Sequence, residues 1–427
     1  MKILFLIVGS VSIKETNFVR NFLKQINLEE HKISILADDF LSSSIEKNRN
    51  IEKFSMSKNT FNERIFQRFM ENNKFNLIIF VNLEYLLIDD SELAFKKEFL
   101  NHIKTRTLFF TVNNNLVYKN NTAFIPEKLE NKLSFNFPMA LLKACPPHIP
   151  DIDSNKDIKA FYWKNLEPFA FLSKDEHRCE LKTHLKASDD EKIVSLILDV
   201  EQLLVSYSKK LSYHYKVLVD IVYRYLANLN IPCQLVVGNI TPFPIENMSS
   251  NVKISFFGAL TDDLHERIVR SSDLILTESI SNTTLIDAAN LKIPTITLKN
   301  SVKLVEKIND DGQSGIDISF DFDELTDFSK SKLEELISAV PDSIFPYYSF
   351  PNHASINFDY KKVFGNYIFT FAELFDEKNT SQTILDLLVN DDSIKEELYR
   401  IEQYLELRDD ALDADDLMEI LKNKNAF

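Results

Sequence analysis

The chain has 427 residues, 44% hydrophobic and 26% charged, which excludes a peptide, a small scaffold or a disordered tail and leads us to expect two domains. Its 49 Lys plus Arg against 64 Asp plus Glu leave a formal net charge of -15, which argues against a nonspecific nucleic-acid or anionic-membrane binder, since no segregated basic patch offsets it. Three cysteines, Cys145, Cys179 and Cys233, are odd in number and lack CxxC spacing, so they read as idle thiols of a reducing compartment rather than as a disulfide framework or zinc knuckle.

The first apolar run, Ile3 to Val8, leads through Gly9-Ser10 into the charged KETNFVRNFLKQ, the pattern of a buried strand rather than a cleaved leader. No stretch of 18 apolar residues follows, so a cytoplasmic protein without a membrane span is expected. A helix near Asn17 to Ile26, a strand over Lys32 to Leu36, a polar helix ending near Asn73, and strands over Leu77 to Val81 and Thr107 to Val112 come next. Short Ile, Leu, Phe and Val runs separated by helices are the pattern of a parallel sheet covered on both faces. From Cys145 three prolines and a cluster of Asp and Asn read as a linker region.

The second series is more regular. SKDEHRCELKTHL reads as a capped helix, and Lys192 to Leu198 as a strand. A helix follows over Ser212 to Asn228, then strands over Gln234 to Val237 and Val252 to Phe257. Next come a helix over Thr261 to Ser271 capped by Thr261, a strand over Leu274 to Leu276, a helix over Asn282 to Leu291 and a strand over Thr295 to Leu298. Four βα units predict a doubly wound sheet. The aromatic and proline-rich stretch 341–367 reads as chain wrapping over a surface. The tail from Thr380 reads as helical, with Ile384, Leu387 and Leu388 on one face.

Only six residues are glycine, at positions 9, 238, 258, 312, 315 and 365, so a P-loop and a GxGxxG fingerprint are both absent. A phosphate site must then use Ser, Thr or Asn backbone at a helix start. Ligands of an open α/β sheet collect beyond the carboxyl ends of the strands. That singles out 199–202, Gly238-Asn239, Gly258-Ala259-Leu260 and the run Thr277 to Thr284. In the last, hydroxyl and amide residues between a strand and a helix offer backbone N–H groups beside a positive dipole end, an anion site by chemistry, although the same residues also serve as ordinary caps.

The block SDLILTESISNTTLIDAANLKIPTITL, Ser272 to Leu298, resembles the nucleotide-binding segment of GT-B glycosyltransferases, especially those using UDP-sugars. The strand falls on Leu274 to Leu276, the small-residue loop on Ser279 to Thr284, the acidic residue on Asp287, the small helix end on Ala288-Ala289 and the proline on Pro294. VKISFFGAL and TDDLHERIVRSSDLIL resemble the preceding strand and helix of that half. The resemblance implies that backbone amides from Ser279 to Thr284, centred on Ser281, Asn282 and Thr283, hold a donor diphosphate. It implies that Asp287 accepts from ribose hydroxyls and that Gly258, Ala259 and Leu260 meet the base edge. His265 lies in the helix that faces the nucleotide loop in that family.

The expected architecture is therefore α/β, two doubly wound Rossmann-like domains facing across a cleft. Residues 1–165 form an N-terminal acceptor-side domain and 166–340 a nucleotide-sugar domain, while the crossover segment and terminal helices of 341–427 pack on the first domain. The expected function is glycosyl transfer from a nucleotide-sugar, UDP-linked, to an acceptor in the cleft, which could be a protein, peptide, glycan or small metabolite. A non-catalytic GT-B-like subunit partnering another transferase and a nucleotide-sugar epimerase are the alternatives. The loop after the first strand departs from the family, with one glycine and no His, and Glu15 is the candidate base, though an acidic residue in a helix's first turn needs no catalytic role. Histidines without HxxxH or HExxH spacing, and paired acids Asp38-Asp39 and Asp89-Asp90 without DxD context, predict no metal and no cofactor beyond the nucleotide-sugar itself.

Overall fold

The computed structural model describes residues 1–8, 13–37, 49–57, 60–81, 86, 94–111, 117–119, 122–124, 132–134, 137–144, 160–163, 174–198, 212–245, 248–258, 260–278, 284–308, 314–339, 369–407 and 412–422. The chain divides into two compact units, Met1–Leu166 with Leu407–Phe427, and Glu167–Glu406.

The first unit opens with β1 (Lys2–Ile7), α1 (Ile13–Gln25), β2 (Lys32–Ala37), β3 (Ile51–Ser55), α2 (Glu63–Asn73), β4 (Leu77–Val81) and β5 (Thr107–Thr111). A small antiparallel sheet, β6 (Val117–Lys119), β7 (Thr122–Phe124) and β8 (Lys132–Ser134), precedes β9 (Met139–Ala144) and β10 (Ala160–Trp163). The main sheet is parallel throughout, in the order β10-β9-β5-β4-β1-β2-β3. Ile3 sits opposite Ile33 on one side and Leu77 on the other. Ile3 to Ile7 are fully buried because helices cover both faces, which is why β1 is a continuous apolar run rather than an alternating one. The edge strand β3, IEKFS, is only half-buried and carries charges, so it lacks that signature. Strand β10 corrects the end of the stretch read as a linker after Cys145, since AFYW pairs with Leu141 to Ala144 at the sheet edge, while 145–159 lie outside the described residues.

The second unit runs α3 (Lys174–Leu185), β11 (Lys192–Ile197), α4 (Ser212–Asn228), β12 (Cys233–Gly238), β13 (Val252–Phe256), α5 (Asp262–Ser271), β14 (Leu274–Thr277), α6 (Thr284–Asn290) and β15 (Thr295–Lys299). A hairpin of β16 (Lys303–Ile308) and β17 (Ser314–Ser319) precedes α7 (Asp327–Ala339), β18 (Thr370–Glu373), α8 (Glu377–Val389) and α9 (Asp391–Leu407). Its parallel sheet has the order β13-β12-β11-β14-β15-β18. Both sheets are thus Rossmann-like, and each reverses its winding at one pair, β1 with β4 and β11 with β14.

The tail differs from the expectation that the elements of 341–427 pack on the first domain. Strand β18 pairs with β15, and Ile384, Leu387 and Leu388 of α8 bury in the core of the second unit. Tyr225 of α4 donates from its hydroxyl to the Leu374 carbonyl at 2.5 Å. Glu397 of α9 is fully buried and accepts from the Thr370 backbone N–H at 3.3 Å and hydroxyl at 2.9 Å, beside Arg400. Among the described helices beyond residue 369, α10 (Ala414–Lys422) is the one assigned to the first unit. Ala414, Leu417, Met418 and Leu421 join the cluster of Ile3 and Phe5, and Ala414 N–H donates to Gln25 at 2.6 Å. The apolar faces of α8 and α10 read alike in sequence, yet one fills the core of the second unit and the other that of the first. The stretch 341–367 lies outside the described residues.

Scarce glycine leaves a mark on the backbone. Lys74, Lys186 and Lys292 adopt left-handed φ of 47°, 54° and 52° just beyond helix ends, positions where glycine is the usual occupant. Their N–H groups still close the helix, as in Lys74 to the Met70 carbonyl at 3.2 Å. Replacing Lys186 and Lys292 together by Gly removes Cβ strain at two sites and raises the second unit by about 1–2 kcal/mol, after allowing for the looser unfolded chain. A raised denaturant midpoint with an unchanged m-value checks this. The exposed pair of Lys292 with Glu402 at 2.7 Å takes little away.

No helix among the described residues is long and apolar enough to cross a membrane. Burial pushes the Cys233 thiol up to about 12, so it is inert, while Cys179 is exposed.

Candidate nucleotide site

The switch point of the second sheet, β11 beside β14, sets the place to look. Asn239 organises one side of it. Its left-handed φ of 68° turns the chain out of β12, and its side chain then spans two neighbours. Nδ2 donates to the Leu198 carbonyl beyond β11 at 2.8 Å, and Oδ1 accepts from the Leu260 N–H beyond β13 at 3.1 Å. Its own N–H donates to the Gly258 carbonyl at 3.1 Å. One residue therefore ties the carboxyl ends of three strands. At Gly238 before it, a Cβ would lie 2.7 Å from Leu260 Cδ1, so a larger residue there would have to displace the end of that side chain. Gly258 is exposed, and a Cβ there would meet nothing within 4 Å.

On the other side of the switch point, α5 and α6 meet. Thr261 caps α5 by accepting from Leu264 N–H at 3.3 Å, and Ile268 and Val269 anchor the helix in the core. That orientation sends His265 toward α6. Its Nε2 lies 3.0 Å from Thr284 Oγ1, and its Nδ1 lies 3.9 Å from Asp287 Oδ2. Thr284 is buried, whereas the His265 and Asp287 side chains are 24% and 23% exposed, enough for a ligand to reach them. Glu278, the first residue beyond β14, is buried. Nearby charges on α5 are paired, Arg270 with Glu266 at 2.8 Å and Arg267 with Glu180 of α3 at 3.3 Å.

The structure therefore groups Thr284 and Asp287 with His265, and it holds Gly258 and Leu260 on the Asn239 clip. Helix α6 is described from Thr284 onward, and its expected start at Asn282 lies outside the described residues. Ala259, Ser279, Ser281, Asn282 and Thr283 lie outside the described residues. Glu15 is in the first turn of α1, beyond the carboxyl end of β1, and its side chain is likewise outside the described set. Among the described residues no three His, Cys, Asp or Glu side chains group closely enough to hold a metal ion. The Asn239 clip was missed as a structural device; its signal was the Gly-Asn pair at a strand end, where Asn tolerates left-handed φ.

Solved structures share this architecture. A spinosyn forosaminyltransferase, SpnP, superposes with a TM-score of 0.53 at 10% identity, covering 99% of this chain and 100% of that one. UGT89C1 of Arabidopsis thaliana, complexed with quercetin, gives 0.54 at 9% identity over 98% of each chain. The glycotransferase of kitacinnamycin gives 0.50 at 10% identity, again over 98% of each. The chain thus has the GT-B fold, with two Rossmann-like domains; at such identities the likeness carries no residue roles. No curated protein sequence matches the chain. One family model, described as a family of unknown function, matches residues 122–423.

Proposed function

The chain belongs to the DUF6365 family, and from that starting point we propose that it is a glycosyltransferase whose second unit takes a UDP-linked sugar as donor. The observation that carries the reading is the convergence of Asp287 and Thr284 of α6 with His265 of α5 beside the switch point of a GT-B sheet. Such a position is where this fold class takes its ligands. The backbone of 279–284 is proposed to hold the diphosphate, Asp287 the ribose hydroxyls, and Gly258 to Leu260 the base edge. Glu15, at the corresponding strand end of the first unit, is proposed to take the acceptor hydroxyl proton as the acceptor oxygen attacks the sugar C1. The C1–O bond to the diphosphate breaks in the same step, and the nucleoside diphosphate leaves with the bonding electron pair. The thiols Cys179 and Cys233 suit a cytoplasmic setting.

Thermal shift with UDP and UDP-sugars is the first test, because a ligand that binds only the folded chain raises its midpoint. Asp287→Ala is expected to lose about tenfold in UDP affinity, the loss of one or two hydrogen bonds to a charged acceptor, with little change in stability. Glu15→Gln is expected to abolish UDP release on adding acceptor and to spare UDP binding. UDP binding without turnover toward any acceptor would instead favour a non-catalytic subunit.

A further inference from the structure

We propose that Asn239 is a positioning residue for base selection: through the turn that it clips beyond β13, it makes the second unit prefer the edge of uracil to that of cytosine. This rests on the nucleotide-sugar reading of the second unit, in which Gly258 to Leu260 meet the base, and it names what holds that turn and what the held turn selects.

Asparagine meets every demand at this position. The left-handed φ of 68° favours Gly, Asn or Asp. The Leu198 carbonyl, 2.8 Å from Nδ2, needs a donor, and the Leu260 N–H, 3.1 Å from Oδ1, needs an acceptor. Glycine supplies neither and an ionised Asp only the second, so the amide is required and its two partners fix its orientation. Backbone bonds bring the turn within its reach. Phe257 N–H donates to the Val237 carbonyl at 2.8 Å, Asn239 N–H to the Gly258 carbonyl at 3.1 Å, and Ile240 N–H to the Phe257 carbonyl at 3.2 Å. The Leu260 side chain lies over Gly238 and packs against the cluster of Ile197, Val236 and Ile268.

The clip decides which groups of the turn are left for a ligand. It uses the Gly258 carbonyl and the Leu260 N–H. What it leaves on these two residues is one donor, the Gly258 N–H, and one acceptor, the Leu260 carbonyl. Uracil carries N3–H between two carbonyl oxygens, so it donates to one backbone group and accepts from the other. Cytosine has no hydrogen on N3, and its lone pair set against a carbonyl leaves both groups unsatisfied. The two pyrimidines are alike in size, so shape does not separate them. Without the clip the Leu260 peptide is free to turn, and the acceptor that distinguishes the bases is no longer held in place.

Calorimetric titration of the full chain with UDP and with CDP tests this. The wild type is expected to bind UDP about tenfold more tightly than CDP. Asn239→Gly keeps the left-handed φ and the backbone bonds and deletes the side-chain clip. Its UDP affinity is expected to fall about fivefold to tenfold while its CDP affinity stays within about twofold. A residue that only supports the fold would weaken both nucleotides alike. Asn239→Asp keeps the acceptor for Leu260 but sets a second oxygen against the Leu198 carbonyl; its preference is expected to fall between the two, and it carries the test should the glycine variant fail to fold. An unchanged preference, or equal weakening toward both nucleotides, in the glycine variant, or in the aspartate variant if it alone folds, overturns the role of Asn239 and leaves the donor reading standing. A wild type that binds UDP and CDP equally does the same. A wild type that binds neither overturns the donor reading and the role of Asn239 with it.

Discussion

Leu417→Ala lowers the stability of the first unit by about 3 kcal/mol, the cost of deleting a fully buried leucine whose site cannot collapse. The expectation follows from where α10 sits. Leu417 is 0% exposed and shares a cluster with Ile3, Phe5, Val19, Ile35 and Leu77, residues from β1, α1, β2 and β4. The helix is also tied at both ends, Ala414 to Gln25 and the Leu421 carbonyl to Arg106 at 3.1 Å, so it cannot shift to fill the void. The loss should be local. Native-state hydrogen exchange is expected to show β1 and β4 amides losing protection while β11 and β12 keep theirs, because the two units have separate cores. Unchanged exchange in β1 would mean that α10 does not complete the first core.

The second large effect is a pH dependence. His214, in the first turn of α4, has its Nδ1 buried without a hydrogen-bond partner among the described residues, and burial pushes the imidazole down to about 4. In the unfolded chain it takes a proton near its ordinary 6.5. Between those values the unfolded state binds the extra proton, so stability is complete above about 6.5 and falls as pH drops toward about 4. The shift corresponds to about 2–3 kcal/mol across that window. His31, lowered by burial and by the neighbouring N-terminal amine, adds to the acid loss in the first unit, so the readout is a difference between variants. His214→Gln removes the titrating group and is expected to flatten the pH profile of α4 hydrogen exchange between pH 6.5 and 4. An identical slope in wild type and variant would refute the assignment.

Much of the second unit was legible in the sequence because its strands are short, fully buried and bounded by amphipathic helices. Lys192 to Leu198 and Leu274 to Leu276 could hardly be anything else once their flanks read as helices. The edge elements were harder. Strand β3 carries two adjacent charges, Glu52 and Lys53, between its apolar residues and is half-buried, and β10 follows three prolines, so neither offers the continuous run of a central strand. Strand β18 is four residues long and becomes a strand only because β15 has an open edge for it. At the site, Asp287 was reachable from the resemblance of its block, while the partnership of His265 with it was not. The two residues lie on different helices, and no local spacing links them.

Composition and periodicity by themselves determined that this is a two-domain α/β chain, that a glycine-rich phosphate loop is absent, and which faces of its helices must be buried. These are local properties, set by side-chain volume and by the 3.6- and 2-residue repeats of the backbone. The tertiary structure alone decided that α8 and α9 stay with the second unit while α10 completes the first, that lysines occupy left-handed helix ends, and that His265 stands beside Asp287. An apolar stripe records that a face needs a partner but not which partner; that choice is made by chain reach and by the shape of the core left to fill.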